Sequence, residues 1–154
     1  MVYRYRASIS GNKFFLREYE IRESMTLYSL HLFLQDDLGF APDQRVMFKG
    51  ISAGDEVEKE YGLFDFGDGT MDTVTLGQIH SMGLPVVEYL YDMFARRSIR
   101  LEFIGEEEEF AKRSYPRLVV EKGRNPDQFS DGYSDFEQLE VGDTLSAEDD
   151  ESDL

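Results

Sequence analysis

Cysteine is absent from this 154-residue chain, and so is tryptophan. Without a thiol there is no disulfide, no thiolate metal site and no cysteine nucleophile, and the redox compartment is left open. Histidine is nearly missing too. His31 and His80 are the only two, too few for a three-histidine metal centre, and no HExxH spacing occurs. No GxSxG turn offers a serine nucleophile. Asp65-Phe66-Gly67 stands without the glycine-rich loop, lysine-bearing strand or HRD run of a kinase. No apolar run approaches a membrane span, and MVYRYRASIS lacks the apolar stretch of a secretory signal. A soluble, cytoplasmic protein off the membrane is expected, with no cofactor, no metal and no catalytic residue assigned.

Positive charge runs out near the end of the chain. From Asp127 to Leu154 there are eleven acids and no Lys or Arg, within a total of 32 acids and 16 bases and a net charge of −16. The first 126 residues therefore hold twenty-one acids against sixteen bases, a net of −5. Such a field repels nucleic-acid backbones, so the expected partner is another protein, and nothing in the pattern specifies an oligomeric state. The acid-rich composition predicts a disordered tail over 131–154, behind one α+β domain over 1–130.

Twelve Phe and nine Tyr supply the core. Tyr3, Tyr5, Ala7 and Ile9 alternate with Arg4, Arg6 and Ser8, the period of a half-buried strand. A second run, Phe14–Ile21, follows Gly11-Asn12-Lys13. A three-residue loop there sets Arg4 opposite Glu20 and Arg6 opposite Glu18, and Tyr3, Tyr5 and Ile9 opposite Ile21, Tyr19 and Phe15. Pairs of these kinds contribute roughly 0.2–1 kcal/mol each, so this register is preferred over a two-residue turn. A helix is predicted from about Thr26 to Leu38. Thr26 caps it, Met25 and Leu30 form a staple, Leu27, Leu30, His31, Leu34 and Leu38 make its apolar face, and Gly39 stops it. Gln44–Lys49 reads as a strand and Gly50–Asp72 as a long loop with a strand near Val57–Tyr61. Long loops of this kind are often functional. Thr75–Ser81 reads as a short helix capped by Thr75.

Val86–Ile104 carries two alternating apolar runs around a charged turn and reads as a core hairpin, with Ile99, Leu101 and Phe103 inward. Glu106–Glu109 is expected as a helical turn or a solvated charge run, and Tyr115–Phe129 as a segment lying on the domain. The order of elements suggests a single β-sheet with one main helix packed across it, similar to a β-grasp. His31 is expected as a core histidine, and His80 as a structural one favoured by the end of its helix. Asp65, Asp68 and Asp72 lack the spacing of a calcium loop. Arg96, Arg97 and Arg100 form the densest basic spot before residue 127, the expected docking point for an acidic ligand or for the chain's own tail.

Several of these stretches together resemble one family. Thr26-Leu27 followed by Leu30-His31, Gly39-Phe40, Val74-Thr75-Leu76, Tyr89-Leu90-Tyr91-Asp92, and Tyr115-Pro116 with Gly123 and Pro126 are similar to the motifs of the plasmid pRiA4b open-reading-frame-three-like family. These are small α+β proteins found beside mobile elements. The resemblance spans roughly residues 1–127. It departs after Asp92, where the family's FGDxWxH is replaced by Met93-Phe94-Ala95-Arg96-Arg97-Ser98-Ile99. It implies architecture more than mechanism. The function expected is a non-enzymatic binding or adaptor module, with Tyr89, Tyr91, Asp92, Arg96, Arg97, Arg100 and His31 as candidate binding residues. The alternatives are a nucleic-acid-associated protein linked to mobile elements and a carboxylate-dependent hydrolase-like enzyme centred on Asp92.

Overall fold

The alternation that begins the chain builds β1 (Val2–Ile9) and β2 (Asn12–Arg22). In the computed structural model, which describes residues 1–130, they pair antiparallel with Arg4 opposite Glu20, Arg6 opposite Glu18, Tyr3 opposite Ile21 and Tyr5 opposite Tyr19. The expected loop does not form, however. Past Ala7 the register shifts, and Ile9 faces Asn12 instead of Phe15. The cause is the Asn12 side chain, whose Oδ1 accepts the backbone N–H groups of Phe14 at 2.9 Å and Phe15 at 3.2 Å and bends the start of β2. The predicted tail, 131–154, lies outside the described residues.

Helix α1 (Leu27–Leu38) begins and ends where its signals put it. Thr26 Oγ1 accepts the Ser29 N–H at 3.2 Å. Gly39 turns left-handed at φ 71°, so that the N–H groups of Phe40 and Gly39 reach the carbonyls of Gln35 at 2.9 Å and Asp36 at 3.3 Å. Asp36 and Asp37 sit at the negative end of the helix dipole, unfavourable by roughly 0.3–1 kcal/mol each. Burial of Leu27, Leu30, Leu34 and Leu38 outweighs that, at about 1.5–3 kcal/mol per side chain as an upper bound. Asp37 is also used: its Oδ2 accepts the Tyr19 hydroxyl at 2.8 Å.

The remaining strands are β3 (Met47–Ile51), β4 (Val57–Tyr61), β5 (Val86–Asp92), β6 (Arg97–Glu107) and β7 (Arg117–Lys122), with α2 (Leu76–Ser81) before β5. They form a seven-stranded sheet in the order β4-β3-β5-β6-β1-β2-β7, antiparallel at every pairing. The architecture is α+β, and the strand expected near Val57–Tyr61 is present as β4, but three expectations need correction. The long loop does not begin at Gly50, because Gly50 and Ile51 belong to β3. The first predicted strand after α1 starts at Met47, not Gln44. Glu106 and Glu107 extend β6 opposite Tyr3 and Val2. The segment expected to lie on the domain does so, its residues 117–122 forming an edge strand along β2. Among the described residues, no helix is long and apolar enough to cross a membrane.

One face of the sheet carries both helices. Leu76 and Ile79 of α2 are fully buried and join the same core as the α1 leucines, Tyr5, Tyr19, Phe48, Tyr89, Ile99 and Leu101. The other face is a lattice of opposite charges. Glu18 takes Arg4 at 3.0 Å and Arg6 at 3.1 Å, and Glu20 takes Arg117 at 2.6 Å and Arg4 at 3.6 Å. Arg4 thus faces Glu20 in register yet reaches diagonally for its closer partner. In each pair the arginine is partly exposed and the glutamate largely buried, so desolvation offsets part of the Coulombic gain. Their larger effect is on register, since a one-residue slip would turn the charges into the core.

The two helices start against each other. The N–H groups of Leu27 and Tyr28 donate to the carbonyls of Val74 (3.0 Å) and Met71 (2.9 Å), and those of Leu76 and Gly77 donate to Met25 (3.0 Å) and Glu23 (2.8 Å). Thr26 and Thr75 form the bridge between the lead-in segments. Each threonine also caps its own helix, and Gln78 completes a capping box at Thr75. The first three donors that every helix leaves unpaired are therefore satisfied at both. Gly77 allows the approach: a Cβ there would lie 3.2 Å from the Glu23 carbonyl oxygen.

Thr26→Ala and Thr75→Ala should each cost about 0.5–2 kcal/mol in urea unfolding, the usual loss of a cap. Because the two caps share one junction, the double variant should depart from the sum by more than about 0.5 kcal/mol. Simple additivity would mean that the two ends form independently.

Candidate functional site

The hairpin of β5 and β6 carries most of the residues singled out in the sequence, and it disperses them. Alternation sends Tyr89 and Tyr91 to the core face, both buried. Tyr91 stacks on Phe40 with ring centroids 4.5 Å apart. Asp92 closes the turn: its Oδ1 accepts the Ala95 N–H at 3.1 Å and its Oδ2 pairs with Arg97. The Ala95 hydrogen bond first, and Arg97 after it, hold the Asp92 carboxyl below the usual carboxylate range. Arg96 takes the left-handed conformation at φ 60° and points to solvent at the tip. Arg100 reaches across to Asp55 in the β3–β4 turn at 3.0 Å. The three arginines therefore form no common cradle.

His31 faces the same sheet from α1. Its Nδ1 lies 2.8 Å from the Tyr89 hydroxyl, and the residue is only 7% exposed. Burial lowers the imidazole pKa and raises that of the Tyr89 phenol. A neutral ring bonded to a neutral phenol is the form that fits such a place. His80 is structural in another way, its ring stacked 4.2 Å from that of Phe103.

Two buried charges escaped the sequence reading. Arg17 is 0% exposed. Its Nη1 donates to the carbonyls of Leu16 (2.9 Å) and Lys122 (2.6 Å), and its Nη2 to the Gly123 carbonyl (3.0 Å) and Asn125 Oδ1 (2.8 Å). The guanidinium also lies over the Phe15 ring at 4.6 Å. It clamps the end of β7 to β2. The signal was available: Phe15, Arg17, Tyr19 and Ile21 share one strand face, and only one of them is charged. Glu20, 2% exposed, gathers Arg117, Arg4 and Arg113. Burial alone would raise its pKa, but the hydrogen bond with Glu107 and the arginines prevail and lower it; Glu107 is raised, first by that same hydrogen bond.

The acidic stretch after β4 serves its own shape. Asp65 Oδ1 accepts the N–H groups of Gly67 (2.7 Å) and Gly69 (3.1 Å), and Asp68 Oδ2 accepts that of Glu60 (2.9 Å). Asp72 takes the Thr70 hydroxyl. Among the described residues, no three His, Asp or Glu side chains converge as metal ligands. The Met71 N–H donates to the Gly62 carbonyl at 2.9 Å, closing residues 62–71 at the neck. Phe66 folds back over Gly62, whose missing side chain makes room: a Cβ there would meet the ring at 2.6 Å.

What this loop encloses is an apolar groove of about 290 Å³. It is lined by Arg45, Val46 and Met47, by Gly62, Leu63, Phe64 and Phe66, and by Met93 from the hairpin turn. Phe64 is 78% and Phe66 60% exposed, and Phe94, beside Met93, is fully exposed. A larger recess of about 850 Å³ runs past Glu23, Asp68, Thr75 and Gln78. Its carboxylates are already engaged, Glu23 by the N-terminal amine at 3.0 Å and Asp68 by Lys59 at 3.6 Å. Tyr61 at its wall has a buried hydroxyl without a partner, and burial pushes that phenol up to about 12.

The chain is thus an α+β protein built on one antiparallel sheet with a groove at one end. No protein-family model and no curated protein matches it. Its fold is similar to that of a solved structure described as a protein of unknown function, MM3350, from Methanosarcina mazei Go1. The two are 18% identical, with a TM-score of 0.75, over 97% of this chain and 85% of that one. At this identity the likeness establishes the fold alone.

The His31–Tyr89 contact generates a pH dependence. The unfolded chain protonates histidine near pH 6.5, whereas the folded ring does so only at lower pH. Between those values the unfolded state holds more protons, so this contribution is complete above about pH 6.5 and is lost as pH falls below it. His31→Leu should remove that slope from chemical unfolding measured at successive pH values. At neutral pH it should cost about 1–3 kcal/mol, because the Tyr89 hydroxyl is left unpaired, and Tyr89→Phe in the same chain should restore part of the loss. A slope that survives in His31→Leu would place the titration elsewhere.

Proposed function

We propose that this protein is a non-enzymatic binding module and that the groove between Met47, the 62–66 loop and Met93 is its binding surface. One observation carries the reading. Phe64 and Phe66, both exposed, line a preformed apolar groove, and the fully exposed Phe94 follows its lining residue Met93 in the chain; contiguous apolar surface marks interaction sites. Of the polar groups singled out from the sequence, Asp92 is spent on Arg97, Arg100 on Asp55 and His31 on Tyr89, and Arg96 stands in solvent at the hairpin tip. The edges of the sheet make poor docking strands, since β4 exposes Glu58 and Glu60 and β7 exposes Glu121 and Lys122. The partner in this reading is a protein segment with apolar side chains.

The frame that presents the groove is read as grasp-like, with α1 held across one sheet face by its five buried positions and with β4 and β7 added to the expected order. The resemblance to the pRiA4b open-reading-frame-three-like family belongs to the same proposal. It is supported by the two Thr-Leu pairs, 26–27 and 75–76, each of which starts a helix.

Peptides selected from a displayed library on the immobilised full chain should lose at least about tenfold in affinity, or about 1.4 kcal/mol, on Phe64→Ser or Met93→Glu. Arg100→Ala should leave binding unchanged, and the melting temperatures of the groove variants should stay near that of the parent. Selected peptides that bind all variants equally would move the binding surface away from the groove.

A further inference from the structure

We infer that the groove's occupant in the free protein is the chain's own acidic segment Tyr133–Val141, so that the binding surface is self-masked. The inference rests on the groove being the binding surface. Three observations lead to it, and the first is chemistry. The groove is lined by methionine, valine, leucine and phenylalanine, and Arg45 is the one charged residue of its lining. Arg45 is exposed and makes no hydrogen bond or ion pair among the described residues. A matching occupant needs spaced apolar side chains with acids between them and no cation. Residues 133–141 read Tyr-Ser-Asp-Phe-Glu-Gln-Leu-Glu-Val: four apolar or aromatic side chains, three acids and no base.

The second observation is where the described chain ends. Asn125 donates to the Asp37 carbonyl at 3.3 Å, and Gln128 Oε1 accepts the Ala41 N–H at 2.7 Å, so this segment runs past the C-terminal end of α1. Phe40, beside Ala41, stacks on Tyr91, two residues before Met93 of the groove. Residues 125–128 are therefore at the same end of the sheet as the groove. At no more than about 3.3–3.6 Å per residue, a chain can reach about 10 Å over three residues and about 40 Å over eleven. A tether this short keeps the segment at roughly millimolar effective concentration, enough to hold a weak contact closed.

The third observation concerns the competing site. The hairpin arginines were the expected docking point for acidic residues, but Arg97 is paired with Asp92 and Arg100 with Asp55, which leaves Arg96 exposed at the tip. Arg45 lines the apolar groove and these three do not. A partner segment must then displace Tyr133–Val141 before it binds, and its apparent affinity falls by the fraction of molecules in which the groove is open.

The absence of native cysteine makes the test direct. A nitroxide on Ser134→Cys labels the full chain at one position, and ¹³C-methyl methionines report on it. Met47 and Met93 should broaden well beyond Met1, Met25 and Met82, and Phe136→Ser/Leu139→Ser should abolish the effect. Arg45→Glu should weaken it at low salt. Library peptides that require Phe64 should bind the Phe136→Ser/Leu139→Ser chain at least about fivefold more tightly than the parent. Unbroadened Met47 and Met93 would overturn self-masking, and groove-dependent peptide binding in that case would leave the binding reading intact. Broadening that survives when spin-labelled and isotope-labelled molecules are mixed would also overturn it, since the occupant would then be a second copy.

Discussion

The junction between the two helix starts is the constraint on which the rest of this fold hangs. A helix end leaves four N–H groups without partners, and burying them unpaired is costly. Here the lead-in to α1 supplies acceptors for α2, and the lead-in to α2 supplies them for α1. Neither helix can be placed without the other. The exchange fixes Met71 and Val74, and Met71 in turn holds the neck of the 62–71 loop through Gly62. The loop that displays Phe64 and Phe66 is thus anchored, through one residue, to the start of both helices.

The sheet separates its tasks by face and by end. Its helix-bearing face takes the aromatic and leucine side chains, and its other face takes alternating Arg and Glu whose pairing resists slippage of the strands. Function in the proposed sense falls to neither face but to one end, where β3 begins, β4 and β5 finish, and apolar side chains remain uncovered. Apart from the Tyr5 and Tyr61 hydroxyls, the titratable residues named inside the fold have structural partners, while the unspent surface is apolar.

Much of the frame was legible in the residues because the deciding forces were local. Cross-strand charge set the Arg4–Glu20 and Arg6–Glu18 pairing, caps set both helix starts, and alternation set the inward faces of the hairpin. The parts that were missed depend on long-range partners. Asn12 overrode the loop length through two backbone hydrogen bonds that no period shows. β7 exists because β2 offers an edge and Arg17 a clamp more than a hundred residues earlier in the chain. The groove was hidden for a similar reason: Met47, Phe64 and Met93 come from three separate stretches, each unremarkable alone. The acids of the 65–72 run drew attention as possible ligands, whereas their carboxylates proved to be turn formers and the phenylalanines between them the exposed groups.

The Arg17 clamp has a consequence for how the chain is completed during synthesis. A guanidinium at a core-facing position can be dehydrated only once its acceptors exist, and those at Lys122, Gly123 and Asn125 are made 105 to 108 residues later. At about 5–20 residues per second, the first hairpin waits roughly 5–20 seconds with a solvated cation in the middle of its apolar face. The contacts of Arg17 at the seam between β2 and β7 are therefore completed late although β2 is translated early. A product halted before Lys122 would lack all three of these acceptors. One buried side chain thus separates finished molecules from unfinished ones.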